Sequence, residues 1–183
     1  MKCYVNGVDT LTIDLELVEW YIPPLPTLKD YSIEIAERDG EVDLGSIYGS
    51  RVIQLVFFVT NNTELGYYEK IAAASVMFNP KKGDLAITFN GELAGKRYMA
   101  RAAATVPIAK GSEVRTLAIP LKMHDPFPEG SEQVYEATIT NSPESIDIES
   151  DGNVRTTPLI VLTNTGLEVI GGFEIKIEYL VEE

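Results

Sequence analysis

Cysteine and histidine are nearly missing from this sequence. Its 183 residues contain one of each, Cys3 and His124. A disulfide framework needs paired cysteines, and the common structural zinc sites need four cysteine or histidine ligands. Apolar runs such as residues 56–59 and 159–162 are also far shorter than the about 20 residues of a membrane-spanning helix. We therefore expect no disulfide, no cysteine-based metal site and no membrane partner.

Positive charge is scarce as well. Lys and Arg number 15 against 28 Asp and Glu, which gives a net charge of −13. Proteins that bind DNA gain affinity by neutralising phosphates and releasing counterions, and anionic lipids attract clusters of Lys and Arg. The composition therefore argues against sequence-specific nucleic-acid binding and against attachment to a membrane surface.

The sequence is rich in the alternation of apolar and polar residues that is typical of β-strands. This alternation occurs at 11–17 and 32–35. Residues 52–59 are almost continuously apolar, which predicts a strand buried on both faces. Further strands are predicted at 85–89, 98–108, 114–122, 133–140, 155–163 and 172–181.

A single segment has helical spacing. Asn61 or Asn62 can cap it and Asn79-Pro80 ends it, so we predict one helix over 63–77. The predicted fold class is mainly β with one α-helix, in which the helix packs on a two-sheet β-domain. The side chains expected in its core are Val52, Ile53, Leu55, Phe57, Leu65, Ile71, Val76, Ile87, Phe89 and Leu117.

The segment 125–131 contains two prolines and a glycine and separates two stretches of strand-like alternation. It predicts a boundary between a β-domain at 1–130 and a shorter β-segment at 131–183. A segment of that size is small for an independent β-fold.

No residue pattern predicts a catalytic, cofactor-binding or metal-binding site. The neighbours His124 and Asp125 would point to opposite faces of a strand, and no nucleophile motif accompanies them. Residues 147–152 imitate the first half of a calcium loop, but the twelfth position, where the bidentate glutamate is needed, is Pro158. A carboxylate pair for hydrolysis cannot be selected among so many acids, so a hydrolase is a second alternative reading.

Three short stretches carry a family resemblance through their order and spacing. They are 37–40 (Glu-Arg-Asp-Gly), 48–51 (Tyr-Gly-Ser-Arg), which leads into the apolar strand, and 125–127 (Asp-Pro-Phe). Together they resemble the N-terminal domain of the distal tail proteins of long-tailed bacteriophages and prophages of Gram-positive hosts, over residues 1–130. The segment 131–183 is similar to the opening of the jelly-roll, galectin-like domain that follows in this family, and is shorter than that domain.

The resemblance implies a structural virion protein rather than an enzyme, with no cofactor. In the family, this domain forms a hexameric ring at the tail tip that joins the tail tube to the baseplate hub. The implied partners are further copies of the chain, the tail tube protein, the tail-associated hub protein and receptor-binding or baseplate proteins. The implied location is the tail tip of the virion, after synthesis in the host cytoplasm.

The expected contacts between ring subunits involve exposed strand edges and the loop around residue 39. The candidate interface residues are Arg38, Asp39, Gly40, Tyr48 and Arg51, because a guanidinium group binds a neighbour's carboxylate through two donors. The alternative is a monomeric carbohydrate-binding β-sandwich module, in which aromatic residues such as Trp20, Tyr21 and Tyr31 stack on sugar rings.

Overall fold

The computed structural model describes residues 1–60, 64–103, 115–149, 152, 154 and 156–178. The chain divides into two compact units, Met1–Ser150 and Asp151–Glu183. The boundary near residue 130 that the sequence suggests remains a prediction. The candidate cap residues Asn61 and Asn62, the predicted first helical residue Thr63 and the predicted strand residues 104–108 lie outside the described residues.

The first unit contains all the described strands and the α-helix. In chain order these are β1 (Cys3–Val5), β2 (Val8–Asp9), β3 (Leu15–Tyr21), β4 (Leu28–Glu34), β5 (Glu41–Tyr48), β6 (Arg51–Val59), α1 (Glu64–Met77), β7 (Leu85–Phe89), β8 (Arg97–Ala102) and β9 (Thr116–Met123). Short 3₁₀ helices cover Thr10–Ile13 and Pro80–Lys82.

Seven of the strands form one antiparallel sheet in the order β2-β1-β7-β8-β9-β6-β3, and β4 pairs with β5 in a separate two-stranded sheet. This arrangement confirms the predicted class of a two-sheet, mainly β fold with one α-helix among the described residues.

β6 lies between β9 and β3, and its alternate side chains supply the centre of the core. Ile53, Leu55, Phe57 and Val59 are fully buried. The prediction that both faces of this strand are buried is wrong, because the opposite face carries the exposed side chains of Val52 and Phe58. No described element covers that outer face, so burial follows the two-residue repeat of the strand rather than the run of apolar residues.

The helix α1 packs on the core through a different face from the one predicted. Tyr67, Ile71 and Ala74 are buried, whereas Leu65 is 74% exposed and Val76 is 63% exposed. The predictions for Leu65 and Val76 are therefore wrong, while those for Ile53, Leu55, Phe57, Ile71, Ile87, Phe89 and Leu117 are confirmed. The buried face continues to Phe78, whose ring lies 5.8 Å from that of Phe57, and this aromatic contact fixes the rotation of the helix.

The alternation at 11–17 does not form one strand. Asp9 accepts a hydrogen bond from the backbone N–H of Leu11 at 3.0 Å, which starts the first 3₁₀ helix. Asp14 then adopts a left-handed conformation with φ of 58° and ends that helix. The strand β3 begins only at Leu15. The side chain of Asp9 accepts the backbone hydrogen bond of Leu11 and so favours a local turn over pairing with a neighbouring strand.

From residue 131 onward, the described residues form no helix and no strand. The strands predicted at 133–140, 155–163 and 172–181 are therefore absent from the described parts of those segments. A strand persists when its backbone groups pair with a neighbour and its apolar face packs on a core. Here Val134, Leu159 and Phe173 are exposed instead. The likeness of this segment to a galectin-like domain stays a prediction.

Candidate assembly interface

The separate sheet is a projecting hairpin, which we call the arm (residues 28–48). Its two strands pair from Leu28 opposite Tyr48 to Glu34 opposite Glu41, with a bulge between Asp30 and Ser32. Every residue of β4 is exposed, as are all those of β5 except Val42, which is intermediate. The arm therefore has two solvent-facing sides.

The exposed surface of the arm is rich in apolar side chains: Leu28, Tyr31, Ile33, Leu44, Ile47 and Tyr48. A two-stranded hairpin is at best marginally stable alone in water, because it has no core to cover its apolar face. An exposed surface that is rich in large apolar side chains is typical of a site of protein interaction. The arm is thus the candidate assembly surface of the molecule.

The tip of the arm holds three of the five candidate residues. Arg38, Asp39 and Gly40 lie in the turn between the strands and are exposed. The backbone N–H of Arg38 donates to the carbonyl of Ile35 at 3.2 Å, and Gly40 has φ of 80°. The turn requires this left-handed conformation, which glycine adopts without strain.

The charge at the tip is mostly negative. Glu34 and Glu41 stand directly opposite each other in the last pair of the hairpin, and Glu37 and Asp39 follow in the turn. Like charges directly opposite on neighbouring strands destabilise the pairing. Ser32 donates a hydrogen bond to Glu41, but no described residue forms an ion pair with any of these four acids.

Close contacts join the two chain segments at the base of the arm, and one aromatic contact holds the arm to the segment after β9. The backbone N–H of Gly49 donates to the carbonyl of Thr27 at 2.6 Å, and the Thr27 hydroxyl donates to the carbonyl of Ser50 at 2.7 Å. A Cβ atom at Gly49 would lie 2.7 Å from Oγ1 of Thr27, so only glycine fits there without displacement. Tyr48, the fourth candidate, packs edge-on against Phe127 with ring centres 5.7 Å apart.

Arg51, the fifth candidate, is buried rather than exposed. It starts β6 opposite Met123, and only 7% of its surface is accessible. Its Nε is buried without a hydrogen-bond acceptor among the described residues. A buried N–H donor without an acceptor is costly, because the lost hydration is not replaced.

The arm separates the five candidates into two groups. Each strand of seven or eight residues spans about 20 to 25 Å at about 3.3 Å per residue. Arg38, Asp39 and Gly40 therefore lie far from Tyr48 and Arg51. The structure does not bring all five together within one copy of the chain.

Sequence reasoning missed a group of basic side chains near the base of the arm. Arg101 of β8 is paired with Lys122 of β9, so both project from the same outer face of the sheet. Arg101 Nε donates to Asp84 at 2.7 Å, and Nδ1 of His124 lies 3.7 Å from the same carboxylate oxygen. The hydrogen bond from Arg101 holds the pKa of Asp84 below its ordinary value, with smaller contributions from His124.

We call this group the basic corner and define it as Lys81, Lys82, Arg101, Lys122 and His124. Lys81 and Lys82 end the 3₁₀ helix that closes two residues before Asp84. In the described structure, Lys81, Lys82 and Lys122 form no ion pair. No sequence signal identifies the corner, because its members come from three separated parts of the chain and only the strand order of the sheet brings them together.

Comparison with known proteins places the fold in a family. The family model described as the phage tail protein RIFT-related domain matches residues 5–123, which end at the last residue of β9. The chain belongs to this family. The matched segment of this phage tail domain includes the arm, the helix and nearly all of the large sheet.

A solved structure with the same fold as this tail domain is the crystal structure of the Dit protein of phage SPP1. It is described as a paradigm of the hub adsorption apparatus in phages that infect Gram-positive bacteria. The TM-score is 0.59 at 20% sequence identity, over 71% of this chain and 52% of that protein. The chain thus spans about half the length of the Dit protein. No curated protein matches the tail domain. The resemblance to distal tail proteins inferred from the sequence is confirmed.

The side chains that could bind a metal ion are scattered in the described part of the tail domain. Over the part of the chain that the structure describes, no three His, Cys, Asp or Glu side chains are grouped to hold a metal ion, and no helix there has the length and apolarity to cross a membrane. Cys3 is fully buried, and this burial raises the pKa of its thiol to about 12. Asp151 of the calcium-like segment lies outside the described residues.

Proposed function

We propose that this chain is a structural subunit of a phage tail tip that assembles into a closed six-fold ring. The ring joins the tail tube protein to the tail-associated hub protein, and through them to receptor-binding or baseplate proteins. Membership of a phage tail family supports a role in the tail. The observation that carries the proposal is the arm, which exposes apolar side chains on a hairpin that has no core of its own.

A closed ring forms when one surface of a subunit meets a different surface of the next and the rotation closes. The arm is such a surface, because burial against a neighbour would supply the apolar cover that its own chain does not provide. Tyr48 at its base and Arg38, Asp39 and Gly40 at its tip are then interface residues. A neighbour's carboxylate near Arg51 would accept a hydrogen bond from its Nε, which has no acceptor among the described residues.

The proposed role is architectural and requires no catalysis and no cofactor. The protein acts in the tail tip of the virion after synthesis in the host cytoplasm. Its net charge of −13 suits a ring through which DNA passes, since a negative wall repels phosphate rather than binding it.

Native mass spectrometry of the full chain at low micromolar concentration tests the ring. We expect a hexamer for the natural sequence and mainly monomer for Ile33→Lys, which places a charge on the exposed apolar surface of the arm. Val76→Lys is the matched control, because Val76 is also exposed and apolar but lies on α1, away from the arm and the strand edges.

Two outcomes would contradict the proposal in different ways. A natural sequence that stays monomeric up to millimolar concentration would reject the ring, and the monomeric sugar-binding module would become the better account. If Ile33→Lys assembled as well as Val76→Lys, the ring would stand but the arm would not be its contact surface.

A further inference from the structure

The acidic tip of the arm and the basic corner carry opposite charge and lie at opposite ends of the arm. The acidic tip contains Glu34, Glu37, Asp39 and Glu41. The corner lies at the base, because Lys122 and His124 flank Met123, which is the partner of Arg51 at the start of β6. The base of the arm ends at Tyr48, just before that strand. The tip therefore projects about 20 Å or more from the corner of its own chain.

We propose that the basic corner is the docking site for the acidic tip of the arm of a neighbouring copy. The inference rests on the proposed ring and names the surfaces that meet in it. The apolar sides of the arm are a separate part of the proposed contact between subunits.

Most of the charges at both surfaces lack an ion-pair partner in the described part of one chain, the exceptions being Arg101 and His124, which face Asp84. No ion pair involves the four acids of the tip, nor Lys81, Lys82 and Lys122 of the corner, among the described residues. At the tip, the opposed carboxylates of Glu34 and Glu41 repel each other until a cation approaches. At the corner, Asp84 is already hydrogen-bonded to Arg101 and leaves an excess of positive charge. Docking of the tip at the corner would place the carboxylates beside the lysines and so reduce the repulsion between like charges at both surfaces.

A second copy is the occupant that fits best, because each chain carries one donor tip and one acceptor corner at separate places. Such a pair of surfaces produces head-to-tail association, which closes into a ring when the rotation allows. In a chain with a net charge of −13, an exposed basic cluster is also the surface toward which the acidic tip of another copy is steered.

Charge reversal tests the contact on the full chain. The tip variant is Glu34→Lys with Glu41→Lys, and the corner variant is Lys82→Glu with Lys122→Glu. Each variant alone should shift the monomer–ring midpoint to about tenfold higher concentration or more, because like charges would then face each other. Lys96→Glu, which changes an exposed lysine outside the corner, should leave the midpoint close to that of the natural sequence.

Mixing the two variants gives the decisive result. A basic tip fits only the acidic corner of the other variant, and an acidic tip fits only the basic corner of the first. An equal mixture should therefore form rings with three copies of each variant in alternation, identified by their masses. Salt at about 0.5 M, where the Debye length is about 4 Å, should weaken these rings and those of the natural sequence.

The outcomes separate this inference from the proposed function. If the natural sequence forms rings and the reversed variants form them equally well, the tip–corner contact is wrong while the ring stands. The same holds if each variant is impaired but the mixture does not recover, provided that circular dichroism shows both variants folded. If the natural sequence never forms a ring, the proposed function and this inference fail together.

Discussion

Replacing Phe57 by alanine measures whether the strand β6 is the centre of the core. Its ring is completely buried and lies 5.8 Å from the ring of Phe78 at the end of the helix. Burying a phenylalanine contributes about 1.5 to 3 kcal/mol, and an aromatic pair adds about 0.5 to 1.5 kcal/mol. The cavity that remains adds a further penalty, so the free energy of unfolding should fall by about 3 to 5 kcal/mol.

The next residue provides a matched control. Phe58 has the same side chain on the same strand, but it points to the outer face and is 39% exposed. Phe58→Ala should cost about 1 kcal/mol or less. Urea unfolding followed by circular dichroism measures both values, at two protein concentrations so that any effect of assembly is visible. A loss below about 1 kcal/mol for Phe57→Ala, or equal losses for the two variants, would show that β6 does not face the core as described.

Two further predictions address the base of the arm and the buried thiol. Gly49→Ala should lower the free energy of unfolding by about 1 to 3 kcal/mol, because the added Cβ would lie 2.7 Å from Oγ1 of Thr27. Gly130→Ala is the control and should be nearly neutral in the same urea experiment, because no atom lies within 4 Å of its added Cβ. Cys3, with a pKa raised to about 12 by burial, should react with a thiol reagent at pH 8 only after unfolding. Rapid reaction of the folded protein would show that β1 is open to solvent.

The sequence predicted the class of the fold because strand and helix repeats are local properties. The helix was located closely, since Asn79-Pro80 ends it and no other segment has its spacing. Burial was harder to predict. Val52 and Phe58 are apolar in sequence, yet nothing described covers their face. Leu65 and Val76 lie on an apolar stripe of α1, yet the contact of Phe78 with the core turns another stripe inward.

The candidate interface was predicted only where it depends on a short stretch of chain. The turn around Arg38 was identifiable because a glycine and acidic residues follow one another there. The burial of Arg51 was not, since an arginine that starts an apolar strand is more often exposed. The basic corner was beyond sequence reasoning, because the pairing of β8 with β9 determines which lysines and arginines become neighbours.

The strand order also dictates when the molecule can fold during synthesis. β4 and β5 are neighbours in the chain, so the arm can close as soon as residue 48 has left the ribosome. β6 can pair with β3, which is made before it. Its pairing with β9 on the other side, which starts with Arg51 opposite Met123, has to wait until the helix and two further strands have been made. The arm is therefore complete before most of the large sheet has been made. A growing polypeptide carries exposed Ile33 and Tyr31 through most of its translation, which makes early contact between neighbouring nascent chains a specific hazard of this topology.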